Sequence, residues 1–461
     1  MKTRIAFALA VTGLLSSSAL AQAPSDYDLL IDNGTIYDGM GGTPFTGDVA
    51  IKGDKIVYVG PQAPGAATKT IDATGMAVSP GFINMLSWAV ESLIQDGRGL
   101  SDTTQGVTLE VFGEGDSMGP LNPKMKKLAV ARQGDIKYPI EWTTLGEYLT
   151  YLTRKGITPN VASFIGATTV RMHELGEGDV DPTPEQLARM RALVREAMKE
   201  GALGVGSSLI YMPAYFAETP ELIAITEEAG KCGGMYISHM RNEGYKLLEA
   251  IDELIEISRK SGAPAEIYHF KQAGAENWPK LDEAIARVEK ARAEGLRITA
   301  DMYTYPAGAT GLDAAMPVWV QAGGLEQWIA RLKDPATRAK VIAEMKDPKA
   351  DWENLVLLAG GPEKVLLVSF KNPKLKPLTG KTLAEVAKMR GKSPEETAMD
   401  LVIEDGSRVG TVYFLMNEDN VRRETALPWM SFGSDAESQA PEGVFLKSST
   451  HPAPTATSRA R

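Results

Sequence analysis

His239, in Tyr236-Ile-Ser-His-Met-Arg-Asn-Glu243, and His269, in Ile267-Tyr-His-Phe-Lys271, are the residues in which chemistry is most readily read. The chain has four histidines and one cysteine, Cys232, so any metal site must draw on His173, His239, His269 or His451 together with carboxylates. A Cys-rich zinc site and an intramolecular disulfide are excluded. Each of the two histidines closes a short apolar run, and roughly 30 residues separate them, the length of one strand plus one crossover helix. Two neutral imidazoles at equivalent strand ends suit a catalytic zinc ion, which takes three protein ligands and a water. The alternative is a pair of hydrogen-bonded, inert polar residues. A carboxylate stands out at Ser431-Phe-Gly-Ser-Asp435, again after an apolar segment. Beside a metal such a group serves as general base and then returns the proton to a leaving group. Its alternative is a helix N-cap or a loop aspartate.

The elements that must position these residues follow from periodicity. Residues 184–200 are amphipathic, with Leu187, Met190, Leu193, Val194 and Met198 on one face. A strand at 204–209, a helix at 221–230 and a strand at 234–238 lead to His239. A helix at 245–261 (stripe Leu248, Ile251, Leu254, Ile255) and a strand at 265–268 lead to His269. A helix at 281–294 and a strand at 297–303 carry Asp301. This alternation predicts an α/β fold, a parallel sheet closed as a TIM-like (β/α)8 barrel, whose C-terminal strand ends form the active-site floor. Ahead of it, residues 22–78 read as a small β-domain: a short strand at 28–31, a turn pair Asn33-Gly34, and a hairpin of 48–52 and 55–59 about Gly53-Asp54. The barrel then occupies 79–452, with insertions around 323–380 expected to act as lids, and Cys232 is expected to be structural.

With 461 residues, 43% hydrophobic and 23% charged, the chain has globular composition, which excludes a disordered or coiled-coil protein. A net charge of −10 argues against a nucleic-acid partner. Lys2 and Arg4, the apolar run 5–15 and Ala19-Leu-Ala21 read as a cleaved signal peptide over 1–21, hence a periplasmic or secreted protein. No later run is long enough to span a membrane, so no membrane partner is expected of the mature chain.

The motifs Pro80-Gly-Phe-Ile83, Gln105-Gly-Val-Thr108, Gly201-Ala-Leu-Gly204, Tyr211-x-Pro213, Ser238-His-Met-Arg241, His269-x-Lys271, Asp301-Met-Tyr-x-Tyr305 and Gly433-Ser-Asp435 occur in the order of the amidohydrolase superfamily. The chain resembles its N-acyl-D-amino-acid deacylase (D-aminoacylase) branch from about Tyr27 to Pro452. The resemblance implies a metal-dependent barrel flanked by a β-sandwich, and hydrolysis of small N-acyl amino acids by metal-activated water. His239 and His269 match the histidines of the tightly bound metal, and Asp435 the catalytic base, which in the family can touch a second metal. Tyr211, Arg241, Lys271 and Tyr303 match pocket positions facing the substrate carboxylate or the developing oxyanion, or pack as ordinary rim residues.

Three departures bear on this. The family follows Pro-Gly-Phe-Ile with Asp-x-His-x-His; here the run is Asn84-Met-Leu-Ser-Trp88. Leu86 and Trp88 are not metal ligands, so the outer site of a binuclear centre is not expected, and one zinc ion per chain is. Several deacylases carry a cysteine in a Gly-Asn-Cys-Gly loop where this chain has Gly113-Glu-Gly-Asp-Ser117. A one-residue slip puts Glu114 there, and it is preferred over Asp116 as third ligand, giving a His2Glu set. After Pro452 the family's Arg-Ala-Tyr-Gly-Asn-Phe-Ala-Arg is replaced by Ala453-Pro-Thr-Ala-Thr-Ser-Arg-Ala460. One dropped base in codons for the former yields the latter, so 453–461 is expected to be a frame-shifted tail and the second half of the β-sandwich to be missing. The expected reaction is therefore zinc-dependent hydrolysis of linear amides with Asp435 as base. The rivals are a cyclic amidase or dipeptidase of the same superfamily, and an inactive descendant.

Overall fold

A computed structural model describes residues 25–134 and 136–447. The expected signal peptide, His451 and the 453–461 tail lie outside the described residues. The chain divides into two compact units at Gly81/Phe82.

In the first unit, strand Tyr27–Ile36 pairs antiparallel with Phe45–Lys52, which pairs with Lys55–Gly60; Ala67–Asp72 and Ala77–Val78 run parallel to the first strand. The expected hairpin is present: Lys52 faces Lys55 across Gly53 and Asp54, and Gly53 has the positive φ (61°) that a two-residue hairpin loop needs. Asn33-Gly34 is not the turn its composition suggests. The ladder slips between Ile31 and Gly34 and then resumes, so the pair forms a bulge inside one ten-residue strand. Asn33 tolerates the left-handed conformation (φ 58°), and its N–H donates to Asp48 Oδ1 at 3.1 Å. Gly34 is required by close approach, since a Cβ there would sit 2.4 Å from Val78 Cγ2.

The second unit alternates strands and helices as the periodicity predicts. A parallel sheet runs in the order Met430–Phe432, Ile298–Met302, Ala265–Ile267, Met235–His239, Gly204–Ser208, Ile165–Gly166. A second parallel sheet contains Phe82–Asn84, Val107–Phe112 and Asn160–Ser163. Backbone hydrogen bonds join the two sheets at both ends. Phe164 N–H reaches Phe112 O and Leu203 N–H reaches Ser163 O, while Met85 N–H reaches Phe432 O and Asp435 N–H reaches Leu86 O. Leu86, Val111, Phe164, Ile237 and Tyr268 form a buried cluster on these strands.

The helices between strands are locally encoded. Pro184–Lys199 starts at a capping box in which Thr183 caps Gln186 and Pro184 sits in the first turn. Leu247–Ser261 buries Leu247, Ala250, Ile251, Leu254, Ile255 and Ile257 and ends before Gly262. Arg171, on Ala167–Leu175, pairs with Glu221, on Thr219–Gly230, at 2.5 Å; their side chains are 1% and 5% exposed. Removing one partner strands a buried charge. Arg171→Met is thus expected to lower stability by about 3–5 kcal/mol in chemical denaturation, and Arg171→Met/Glu221→Leu to recover most of it.

The stretch around 323–380, expected to act as lids, belongs to a packed body. Gly308–Gly311, Gly410–Tyr413 and Val365–Ser369 form an antiparallel sheet, and Leu332, Val341, Leu367, Val386, Leu401 and Val402 belong to a core of their own. This body intervenes in sequence between the strands that carry Asp301 and Asp435. Cys232, expected to be structural, is exposed.

Candidate metal centre and active site

Four side chains project from the C-terminal ends of parallel strands. His239 is the last residue of Met235–His239, Glu114 lies two residues past Val107–Phe112, His269 two past Ala265–Ile267, and Asp435 three past Met430–Phe432. His269 and Asp435 both adopt positive φ (37° and 47°), rare for residues with a Cβ and characteristic of side chains aimed by function. His269 is held there by its N–H, which donates to Asp301 Oδ1 at 2.7 Å.

Glu114 Oε1 lies 3.0 Å from His239 Nδ1 and 3.0 Å from His269 Nε2, and the imidazole centroids are 4.4 Å apart with planes at 84°. Among the described residues, these three form the group whose ligand atoms all lie within 4.8 Å of one another. All three are buried, and His239 Nε2 has no hydrogen-bond partner among the described residues. Two imidazoles and a carboxylate with converging atoms are a donor set that fits a divalent ion such as zinc. Asp116, the other acid of that loop, is not in the group.

His269 Nδ1 lies 2.9 Å from Glu243 Oε1 and 2.6 Å from Lys271 Nζ, and Lys271 Nζ donates to Glu243 at 2.7 Å. His269 thus turns Nε2 to Glu114 and Nδ1 to the Glu243–Lys271 pair, and a carboxylate behind the far ring nitrogen is the arrangement that orients metal-ligating histidines. Glu243 is itself fixed through its backbone N–H to Glu353 Oε1 at 2.9 Å.

Burial opposes ionisation of Glu114, but the hydrogen bonds from His239 and His269 prevail and hold its carboxyl at about 2. Glu243 is likewise held low despite burial, by the charges of Lys271, His239 and His269. Burial pushes His239 down, whereas at His269 burial and the Lys271 charge are outweighed by the Glu243 and Glu114 carboxylates, which push it up to about 10. Asp435 goes the other way from the two glutamates: burial and then the charge of Glu114 push its carboxyl up to about 7.

The other sequence-predicted residues divide. The Tyr211 ring lies 5.3 Å from His239, Tyr303 lies 5.9 Å from His269, and Lys271 Nζ stands 5.3 Å over the Tyr303 ring. Arg241 is engaged elsewhere. Its guanidinium is bidentate to Glu253 and donates to the carbonyls of Tyr215 and Ala217 at 2.9 and 2.8 Å. His173 pairs with Glu174.

Three residues near the cluster were missed. Glu243 was legible, four residues past His239. Trp88 registered only as a lost histidine, yet its Nε1–H lies 2.9 Å from Glu114 Oε2 and 3.1 Å from Asp435 Oδ1. Arg408, from the inserted body, pairs with Asp313 at 2.8 Å and stands 4.9 Å over the Tyr211 ring. No local sequence signal points to it.

No family model matches the chain. It is 29% identical over 413 residues to a D-aminoacylase of Alcaligenes xylosoxydans xylosoxydans, covering 89% of this chain and 74% of the relative. It is 31% identical over 287 residues to an N-acyl-D-glutamate deacylase of the same organism, covering 61% of this chain and 58% of the relative. Its structure resembles a D-aminoacylase described for its binuclear metal centre, with one-metal activation and second-metal attenuation. The TM-score is 0.71 at 27% identity, over 89% of this chain and 76% of that one.

Proposed function

We propose that the chain is an N-acyl-D-amino-acid deacylase of the amidohydrolase superfamily, like the relatives it resembles, and that it hydrolyses the amide of N-acyl-D-amino acids, releasing a carboxylate and a free amino acid, at one zinc ion held by Glu114, His239 and His269. The observation that carries this reading is the convergence of those three buried donors beside Asp435, with strand ends delivering all four. When bound, the ion supplies a water acidic enough to attack near neutral pH and polarises the acyl carbonyl.

Asp435 accepts the proton of the attacking water and returns it to the leaving amine. Tyr211, Lys271 and Tyr303 surround the reacting carbon and bind the substrate carboxylate or the oxyanion. Arg241 serves that wall through the 215–217 backbone it holds. The parallel strand segments of the second unit support a (β/α)8 barrel, and the β-strands before Gly81 support a small β-sandwich part. The leader pattern of residues 1–21 supports export to the periplasm or the medium. Among the described residues, no helix is long and apolar enough to cross a membrane.

The test is metal analysis of the purified chain together with a panel of N-acyl-D-, N-acyl-L- and cyclic amides. About one zinc per chain and turnover of N-acyl-D-amino acids are expected. Turnover confined to cyclic amides would move the chain to the cyclic amidases; zinc far below one per chain without turnover would make it an inactive descendant. Because Asp435 must be ionised to act, kcat/KM is expected to fall as pH drops through its pKa. That value is about 7 without the ion, and the ion's positive charge lowers it, so the acid limb is expected at or below that point. An acid limb centred above that value contradicts the assignment.

A further inference from the structure

Trp88 stands where the family carries a metal-binding histidine, and its single indole N–H is shared by two carboxylates, Glu114 Oε2 at 2.9 Å and Asp435 Oδ1 at 3.1 Å. An indole nitrogen is a donor only and offers no lone pair to a metal. The backbone under the indole is tied to both segments it bridges: Trp88 N–H donates to Ala436 O at 3.0 Å, and Ser87 N–H donates to Val111 O at 2.9 Å. Leu86, at the other lost histidine position, is 1% exposed and packs in the strand-borne apolar cluster, so it offers no ligand either.

We propose that the Trp88 N–H takes the place of a second metal ion, drawing the Glu114 and Asp435 carboxylates together and confining the centre to one ion. This rests on the deacylase reading above. Trp88 acts through other residues and is therefore a positioning residue. A carboxylate oxygen that accepts the indole proton is directed, leaving the other Asp435 oxygen for the attacking water. A fixed N–H also cannot dissociate as a loosely held ion does. Attenuation by a second metal, described for a D-aminoacylase of the same fold, has no place to occur in this chain.

The experiment compares the wild-type holoprotein with Trp88→Phe and Trp88→His, each equilibrated with excess zinc, freed of unbound metal and measured for zinc per chain and steady-state kinetics. Wild type is expected to hold about one zinc however much is supplied. Trp88→His, which restores a lone pair between two carboxylates, is expected to rise towards about two. Trp88→Phe keeps an aromatic ring, smaller than the indole, but not the donor. It is expected to stay at about one zinc and to lose roughly tenfold or more in kcat, with KM little changed. A wild-type chain that takes up a second zinc, a Trp88→His chain that stays at one, or an unaltered kcat in Trp88→Phe overturns the inference. A wild-type chain with no zinc overturns the metal-centre reading itself, and this inference with it.

Discussion

Asp435→Asn is expected to reduce kcat by about 10³-fold or more while zinc stays bound, measured as turnover and metal content on the same preparation. The size follows from two roles resting on one carboxylate. In the proposed mechanism it removes the proton from the attacking water, and it delivers a proton to the amine, without which the tetrahedral adduct reverts to substrate. An amide does neither, yet Asn fills the same volume and its oxygen still accepts from the Trp88 indole. Asp435 is not one of the three convergent donors, so the metal has no reason to leave. Wild-type turnover in Asp435→Asn would remove Asp435 from the chemistry, whereas loss of zinc would show it to be a ligand.

Glu114→Ala is expected to abolish both zinc retention and turnover, with about a 10³-fold or greater loss of activity at limiting metal. Glu114 Oε1 is within 3.0 Å of both histidines and supplies the only negative charge in the donor set. Without it the ion faces two neutral imidazoles, a set one ligand short of a catalytic zinc site. The histidines also lose the acceptor that offsets their burial. Full zinc occupancy in Glu114→Ala, read by metal analysis after dialysis, would mean another residue completes the site. The two variants thus separate the base from the ligand: one keeps metal and loses turnover, the other loses both.

The histidines were the most legible part of the site because the βαβ repeat imposes a spacing. Once His239 and His269 close consecutive strand-like runs, parallel pairing brings them to one side of the sheet, as it does here. Asp435 was legible for the same reason, although a hundred-residue body intervenes between its strand and the preceding one. Glu114 was harder, because it lies on a Gly-rich loop where a one-residue slip changes the candidate and no periodicity fixes the register. Asn33-Gly34 misled in the opposite direction: its composition is that of a turn, and only the partner strands reveal that the ladder continues past it. Trp88 and Arg408 illustrate what spacing cannot convey. Trp88 was seen as a missing ligand, since its hydrogen bonds span more than 300 residues of sequence to Asp435. Arg408 comes from the body inserted far from every motif.

That inserted body has an evolutionary consequence. The floor of the site is built from strand ends whose register is locked by the sheet, while the wall that meets Tyr211 comes from a separately cored piece bearing Asp313 and Arg408. The strand register of the first is set by its own sheet, and the second reaches it through Glu353, which holds the Glu243 backbone. Changes in that body therefore remodel the wall beside Tyr211 cheaply wherever they spare Glu353, the point at which it grips the segment behind His269.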